Sequence, residues 1–132
     1  MIGNHQLPIQ LAKDSLDTSN MLKFPGKIAI NPSGSCIAVS DTGNHRILLL
    51  NSTGIVHAKV GGVGAESCVA GFKDGSYGDT MFNAPQGVTW HGDDCLFVAD
   101  TENHAIRKVF LVIYLSRNLR ICDCSFIHNI FL

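Results

Sequence analysis

The chain has 132 residues, 45% of them apolar and 16% charged, and ten Lys and Arg stand against eleven Asp and Glu for a net charge of −1. That length holds one small domain with a single core, and the apolar share excludes a disordered polyelectrolyte. The neutral balance lacks the basic footprint of a nucleic-acid binder and so disfavours nucleic acid as a partner.

Residues 1–23 are polar and mixed, with Lys13-Asp14-Ser15 and Asp17-Thr18-Ser19-Asn20, and are expected to be a flexible linker with no core of its own. Met1 to Pro8 has neither the basic stretch nor the apolar run of a secretory signal, and Gly3 does not fit the myristoylation pattern. The longest apolar run, Val109 to Leu115, falls far short of the roughly 20 residues that span a bilayer. A cytoplasmic protein with no membrane partner is expected. The five cysteines are Cys36, Cys68, Cys95, Cys122 and Cys124. Their odd number argues against a disulfide framework. Cys122-Asp123-Cys124 lacks the second pair of ligands that a zinc site needs.

Four short strands follow: Lys27 to Ile30, Cys36 to Ser40, Arg46 to Leu50 and Ile55 to Val60. Turn chemistry at Asn31-Pro32-Ser33-Gly34 and Asn51-Ser52-Thr53-Gly54 separates them. Strands this close in sequence make an antiparallel meander. The pattern then repeats as Gly87 to Trp90, Cys95 to Ala99 and Ala105 to Val109. Pro25 and Pro85 lie 60 apart, and Asp41 and Asp100, like His45 and His104, lie 59 apart. Repeats of this kind outrank every other fold signal. The sequence therefore divides into unit 1 (24–62), a Gly-rich linker (63–81) with the turn dipeptide Asp74-Gly75, unit 2 (82–109) and a tail (110–132). The linker carries no phosphate-binding glycine motif. The tail has no Gly, no Pro and no clear apolar period, so unit 2 is expected to lack its fourth strand.

Asp41-Thr42-Gly43-Asn44-His45-Arg46-Ile47 and Asp100-Thr101-Glu102-Asn103-His104-Ala105-Ile106 resemble the core of the NHL repeat, a blade of a β-propeller. Phe82-Asn83-Ala84-Pro85-Gln86-Gly87-Val88 resembles the segment that opens such a blade. The resemblance covers about residues 9–109. It implies an all-β fold: a partial, open propeller of about two four-stranded NHL-type blades, cut from a six-bladed ring that follows a thioredoxin-like domain. This chain is expected to lack that domain and so to inherit no redox chemistry from the resemblance. Two blades leave lateral faces exposed, so the chain is expected to be a fragment or alternative product, with self-association through its open blade edges. Lys108-Val109 is compatible with a splice donor, which would make the tail translated intron.

The motif residues Asp41, Thr42, Asn44, His45, Asp100, Thr101, Asn103 and His104 admit two readings. A divalent ion uses Asp and His in repeated geometry. Hairpin turns use Asp and Asn on backbone groups, with His packed between blades. The structural reading is favoured, with Pro25, Pro85 and Gly87 opening the blades. Cys36 and Cys95, also 59 apart, read as buried thiols, and Trp90 and Phe97 as packing between blades. Neither catalytic residue, metal nor cofactor is expected. The role implied is a non-catalytic scaffold for protein–protein recognition. Two alternatives follow from related propellers. One is a peptidyl-amidating-lyase-like metalloenzyme, which needs several convergent histidines. The other is an RNA-binding NHL propeller, for which Lys27, Arg46, Lys59, Lys73, Arg107 and Lys108 are the scattered basic candidates.

Overall fold

The computed structural model describes residues 18–62, 68–75, 78–113 and 119–127, with the backbone alone for residues 18, 112–113 and 119–127. Most of the expected N-terminal linker and part of the Gly-rich linker lie outside them.

The described chain is all-β, in two antiparallel four-stranded sheets. Sheet 1 runs in sequence order through β1 (Ile28–Ile30), β2 (Cys36–Asp41), β3 (Arg46–Asn51) and β4 (Val56–Gly61). Sheet 2 runs through β5 (Pro85–His91), β6 (Cys95–Asp100), β7 (Ala105–Ile113) and β8 (Leu119–Ile127). Neither sheet closes on itself, so the architecture is a partial, open propeller of two blades.

Turn residues set the registers. Asn31 accepts the Cys36 amide on its side chain at 2.9 Å while Gly34 turns at φ 74°, and Ile30 then faces Ile37 across β1 and β2. In the next turn Asn51 Oδ1 accepts both the Thr53 and Ile55 amides at 3.0 Å, and Gly54 turns at φ 84°. Such side-chain acceptors replace the ladder bonds that the turn gives up. The β2–β3 and β6–β7 hairpins are built alike. A single 3₁₀ turn, Thr42–Asn44 or Thr101–Asn103, ends on a left-handed histidine, His45 at φ 53° or His104 at φ 52°. A left-handed non-glycine residue costs free energy that the surroundings must offset.

Unit 2 differs from its expected form. The sequence reading ends that unit at residue 109, whereas β7 continues to Ile113 and β8 pairs with it from Leu119↔Ile113 to Ile127↔Ile106. A shift in register between Val109 and Leu111 interrupts that ladder. The pairing gives the edge of β7 a hydrogen-bonded neighbour, which any edge strand lacks by itself. The expected three-stranded unit is thus corrected to a four-stranded sheet.

The core lies between the sheets. Cys36, Ala38, Ile47, Leu49, Ala58 and Val60 of sheet 1 meet Val88, Leu96, Val98, Val109 and Leu111 of sheet 2, with Phe82 between them. Alternation along each strand selects these residues, since one face of a strand holds every second side chain. Trp90 packs against this core and donates its indole N–H to the Ala29 carbonyl at 3.0 Å, an inter-blade contact. Phe97 corrects its expectation. Its neighbours Leu96 and Val98 enter the core, so Phe97 turns to the other face and meets His91 edge-on at 6.2 Å. Close approach of the blades also needs Gly26, where an added Cβ would lie 2.6 Å from the Gln86 carbonyl.

Candidate functional site

Asp41 and Asp100 are fully buried, and each carboxylate is saturated in the same way. Asp41 Oδ1 accepts the Lys23 amide at 2.7 Å, and its Oδ2 accepts Asn44 Nδ2 at 2.8 Å and Arg46 Nε at 2.7 Å. Asp100 Oδ1 accepts the Asn83 amide at 2.7 Å, and its Oδ2 accepts Asn103 Nδ2 at 2.7 Å and Arg107 Nη1 at 2.8 Å. Each Asp thus joins the turn after its own strand to the segment that leads into its own blade. Asn44 donates as well to the Met21 carbonyl at 2.9 Å, and Asn103 to the Gly71 carbonyl at 2.8 Å.

The arginines complete each hub, and they are the residues the motif did not single out. Arg46 donates Nη1 to the Ser19 carbonyl at 2.7 Å and Nη2 to the Met21 carbonyl at 3.2 Å. Arg107, fully buried, donates to the Met81 and Lys73 carbonyls and to Asp74 Oδ1 at 2.6 Å, between the Phe72 and Phe82 rings. The two arginines sit at different repeat positions. Arg46 pairs directly across from Asp41, whereas Ala105 pairs across from Asp100 and Arg107 lies two residues further along β7. A two-residue step returns a strand to the same face, so both guanidinium groups reach the same carboxylate oxygen. A buried charge pair of this kind holds only while every partner remains.

The histidine and threonine of the motif look outward to the next blade. His45 Nδ1 accepts the Ala84 amide at 3.0 Å, and Thr42 Oγ1 donates to the Pro85 carbonyl at 2.7 Å. Ala84 is held at φ 48°, the same value as Phe24 at the start of blade 1. The acceptor role fixes the His45 tautomer, with its proton on Nε2. Pro85 is buried where β5 meets β6, and Gly87 lies against Ala99, 3.2 Å from an added Cβ. Pro25 is exposed. In blade 2 the corresponding groups are not so used: Thr101 Oγ1 donates locally to the Ala99 carbonyl at 3.3 Å, and the His104 ring is exposed without a hydrogen bond among the described residues.

These contacts bear on the chemical alternatives. His45, His57 and His91 contact Ala84, Cys36 and Phe97 respectively. Among the described residues no group of three His, Cys, Asp or Glu side chains is placed to hold a metal. Of the basic candidates, Arg46 and Arg107 are spent on internal carboxylates, and Lys108 Nζ lies over the Phe110 ring at 4.3 Å.

Cys36 has a histidine neighbour that its motif does not announce: His57 Nε2 lies 3.9 Å from its sulfur. Burial pushes the Cys36 thiol from 9.0 up to about 11, and loss of hydration pushes the His57 imidazole down. Both shifts favour neutral partners, the reverse of a thiolate–imidazolium nucleophile. At pH 8 the folded chain should alkylate at Cys36 about a hundredfold more slowly than the chain in urea, two pH units being about a hundredfold in thiolate. Residue-resolved mass spectrometry after iodoacetamide treatment checks this, and equal rates would refute it. The folded state holds the Cys36 proton more tightly than the unfolded state does. Its contribution to stability is therefore full below pH 9 and is lost as the pH rises through about 11. Cys95 is shifted upward in the same direction, chiefly by burial.

Two repeated, histidine-ended hairpins, each joined by a buried Asp to its lead-in segment, define a pair of NHL-type propeller blades. Comparison with curated proteins agrees: the chain is related to the NHL-repeat family. It is 42% identical over 110 residues to NHL repeat-containing protein 2 of Gallus gallus and 40% identical over 110 residues to that of Homo sapiens, covering 83% of this chain. It is also 42% identical over 116 residues to Protein SUPPRESSOR OF QUENCHING 1, chloroplastic, of Arabidopsis thaliana, covering 85% of this chain. The chain spans only 14% of the first two relatives and 10% of the third. No protein-family profile matches it.

Proposed function

We propose that the chain is a non-catalytic part of an NHL-repeat propeller scaffold and mediates protein–protein interaction in the cytosol. The observation that carries this reading is the use of the motif's own polar groups. Asp41, Asp100, Asn44, Asn103 and His45 are all engaged in holding blade segments through hydrogen bonds within the frame. Support for a protein-binding role comes from the face of blade 1 turned away from blade 2. Ile28 and Ile30 are 60% and 61% exposed there, beside an apolar groove of about 420 Å³ lined by Leu22, Val39, Leu48, Leu50 and Ile55. Apolar surface of that kind marks interaction sites. Free thiols at Cys36, Cys68 and Cys95 suit a reducing compartment.

The test measures metal and partner content together. The purified chain should carry no stoichiometric metal by plasma mass spectrometry and show no salt-sensitive RNA binding. A defined protein should bind it saturably and lose that binding on Ile28→Glu with the Trp90 emission unchanged. Stoichiometric metal lost on His45→Asn would favour the lyase-like reading, and RNA binding that weakens steeply with salt would favour the nucleic-acid reading.

A further inference from the structure

The two outer faces of the blade pair are the two halves of the interface already formed within the chain. On the side of blade 2 that meets blade 1, Val88, Trp90, Leu96, Val98 and Val109 are packed on the core. The repeat offsets match these to Ile28, Ile30, Ile37, Val39 and Leu50 of blade 1. Those five lie on the outer face of blade 1, where Ile28 and Ile30 are exposed although Val88 and Trp90 are packed away. On the side of blade 1 that meets blade 2, Cys36, Ala38, Ile47 and Leu49 are buried, and their matches on the outer face of blade 2 are Cys95, buried beneath its neighbours, and the half-buried Phe97, Ile106 and Lys108.

The polar latch is duplicated in the same sense. Its acceptor half, the left-handed histidine after a 3₁₀ turn, has the same backbone angles at His104 (52°, 40°) as at His45 (53°, 40°). Its donor half, the amide of a residue at φ 48° before a proline, occurs at Phe24-Pro25 as at Ala84-Pro85. The His104 ring and the Phe24 amide have no hydrogen-bond partners among the described residues, and Phe24 is 78% exposed.

We propose that a second copy of this chain docks head to tail, its blade 1 on the outer face of blade 2 of the first. His104 Nδ1 then accepts the Phe24 amide of the second copy, and Thr101 Oγ1 turns from the Ala99 carbonyl to that copy's Pro25 carbonyl. Ile28 and Ile30 take the places that Val88 and Trp90 occupy within one chain. A contact of this type is heterologous and leaves the same two faces free at the ends until a ring closes. Propellers of four to eight blades would close with about two to four copies. Lys108, which stands where blade 1 has Leu49, makes this face less apolar than its internal counterpart, so the contact is weaker than the one within the chain. The inference rests on the scaffold reading only in treating the outer faces as binding surfaces.

Sedimentation equilibrium of the 132-residue chain tests it. Mass should rise with concentration to a multiple of two to four chains. Ile30→Glu blocks the blade 1 face at an exposed site, and His104→Asn withdraws the acceptor while keeping a residue that tolerates left-handed backbone. Each variant should keep the wild-type Trp90 emission and need at least about tenfold more protein to associate. An equimolar mixture of the two should form a discrete dimer, because each supplies the face the other has lost. The proposal is overturned by a wild-type chain that stays monomeric to about 100 µM, by association indifferent to both variants, or by a mixture that forms no dimer. A monomer that still binds a foreign protein would sink this inference and leave the scaffold reading standing.

Discussion

Replacing Asp100 with Ala should cost about 3–5 kcal/mol of stability, a large part of what a domain of this size possesses. The carboxylate is fully buried and accepts three hydrogen bonds, and its loss strands the fully buried guanidinium of Arg107 beside a void. An isolated buried charge is what makes breaking such a pair so much worse than never having it. Urea unfolding followed by the single Trp90 measures the change. The double variant Asp100→Leu with Arg107→Met removes both charges at once and should be less destabilised than Asp100→Ala. Its remaining loss is expected at the Asn83 amide and Asn103 Nδ2, which lose their Asp100 acceptor, and at Asp74, which loses its Arg107 partner. An Asp100→Ala protein within about 1 kcal/mol of wild type would contradict the structural role assigned to the motif.

Phe82→Ala is expected to cost about 3–5 kcal/mol as well, through a cavity rather than a charge. Phe82 is fully buried between the sheets, and its ring lies 5.2 Å from the Arg107 guanidinium. Gly61, at φ 81°, is open enough for that ring to approach only because it lacks a side chain; an added Cβ would fall 2.6 Å from Phe82 Cδ2. The chain therefore cannot fill the space left by Phe82→Ala by closing on a neighbouring side chain at residue 61. Calorimetry and Trp90 emission should report the loss together, since the indole bonds Ala29 across the same interface. A small loss confined to one probe would mean that the two blades do not share one cooperative core.

The strands were legible because turn chemistry punctuates them: Asn31 to Gly34 and Asn51 to Gly54 bound apolar runs whose limits shift by only a residue or two in the structure. The latch was not legible, because His45 acts on an amide 39 residues away and nothing in a linear motif announces that reach. Arg107 escaped for a different reason. Alignment of the two units puts Ala105 opposite Arg46, and only the two-residue period of a strand shows that Arg107 reaches the equivalent carboxylate. The face that Phe97 occupies was not legible, because its apolar run, Leu96 to Ala99, does not reveal which alternate residues point toward blade 1. The β8 pairing had no signal at all in residues 110–132, whose apolar pattern follows neither period.

The measurement that bears most directly on this account is amide hydrogen exchange at Ala84, resolved by NMR, in the wild type and in His45→Asn. The motif of one blade holds the start of the next. Ala84 should then be protected in the wild type and exchange about fivefold to tenfold faster in the variant, the equivalent of one lost hydrogen bond, while amides within β2 and β3 stay as they were. An Ala84 amide that exchanges at the same rate in both proteins would contradict it and return His45 to the residues whose purpose must be sought in chemistry.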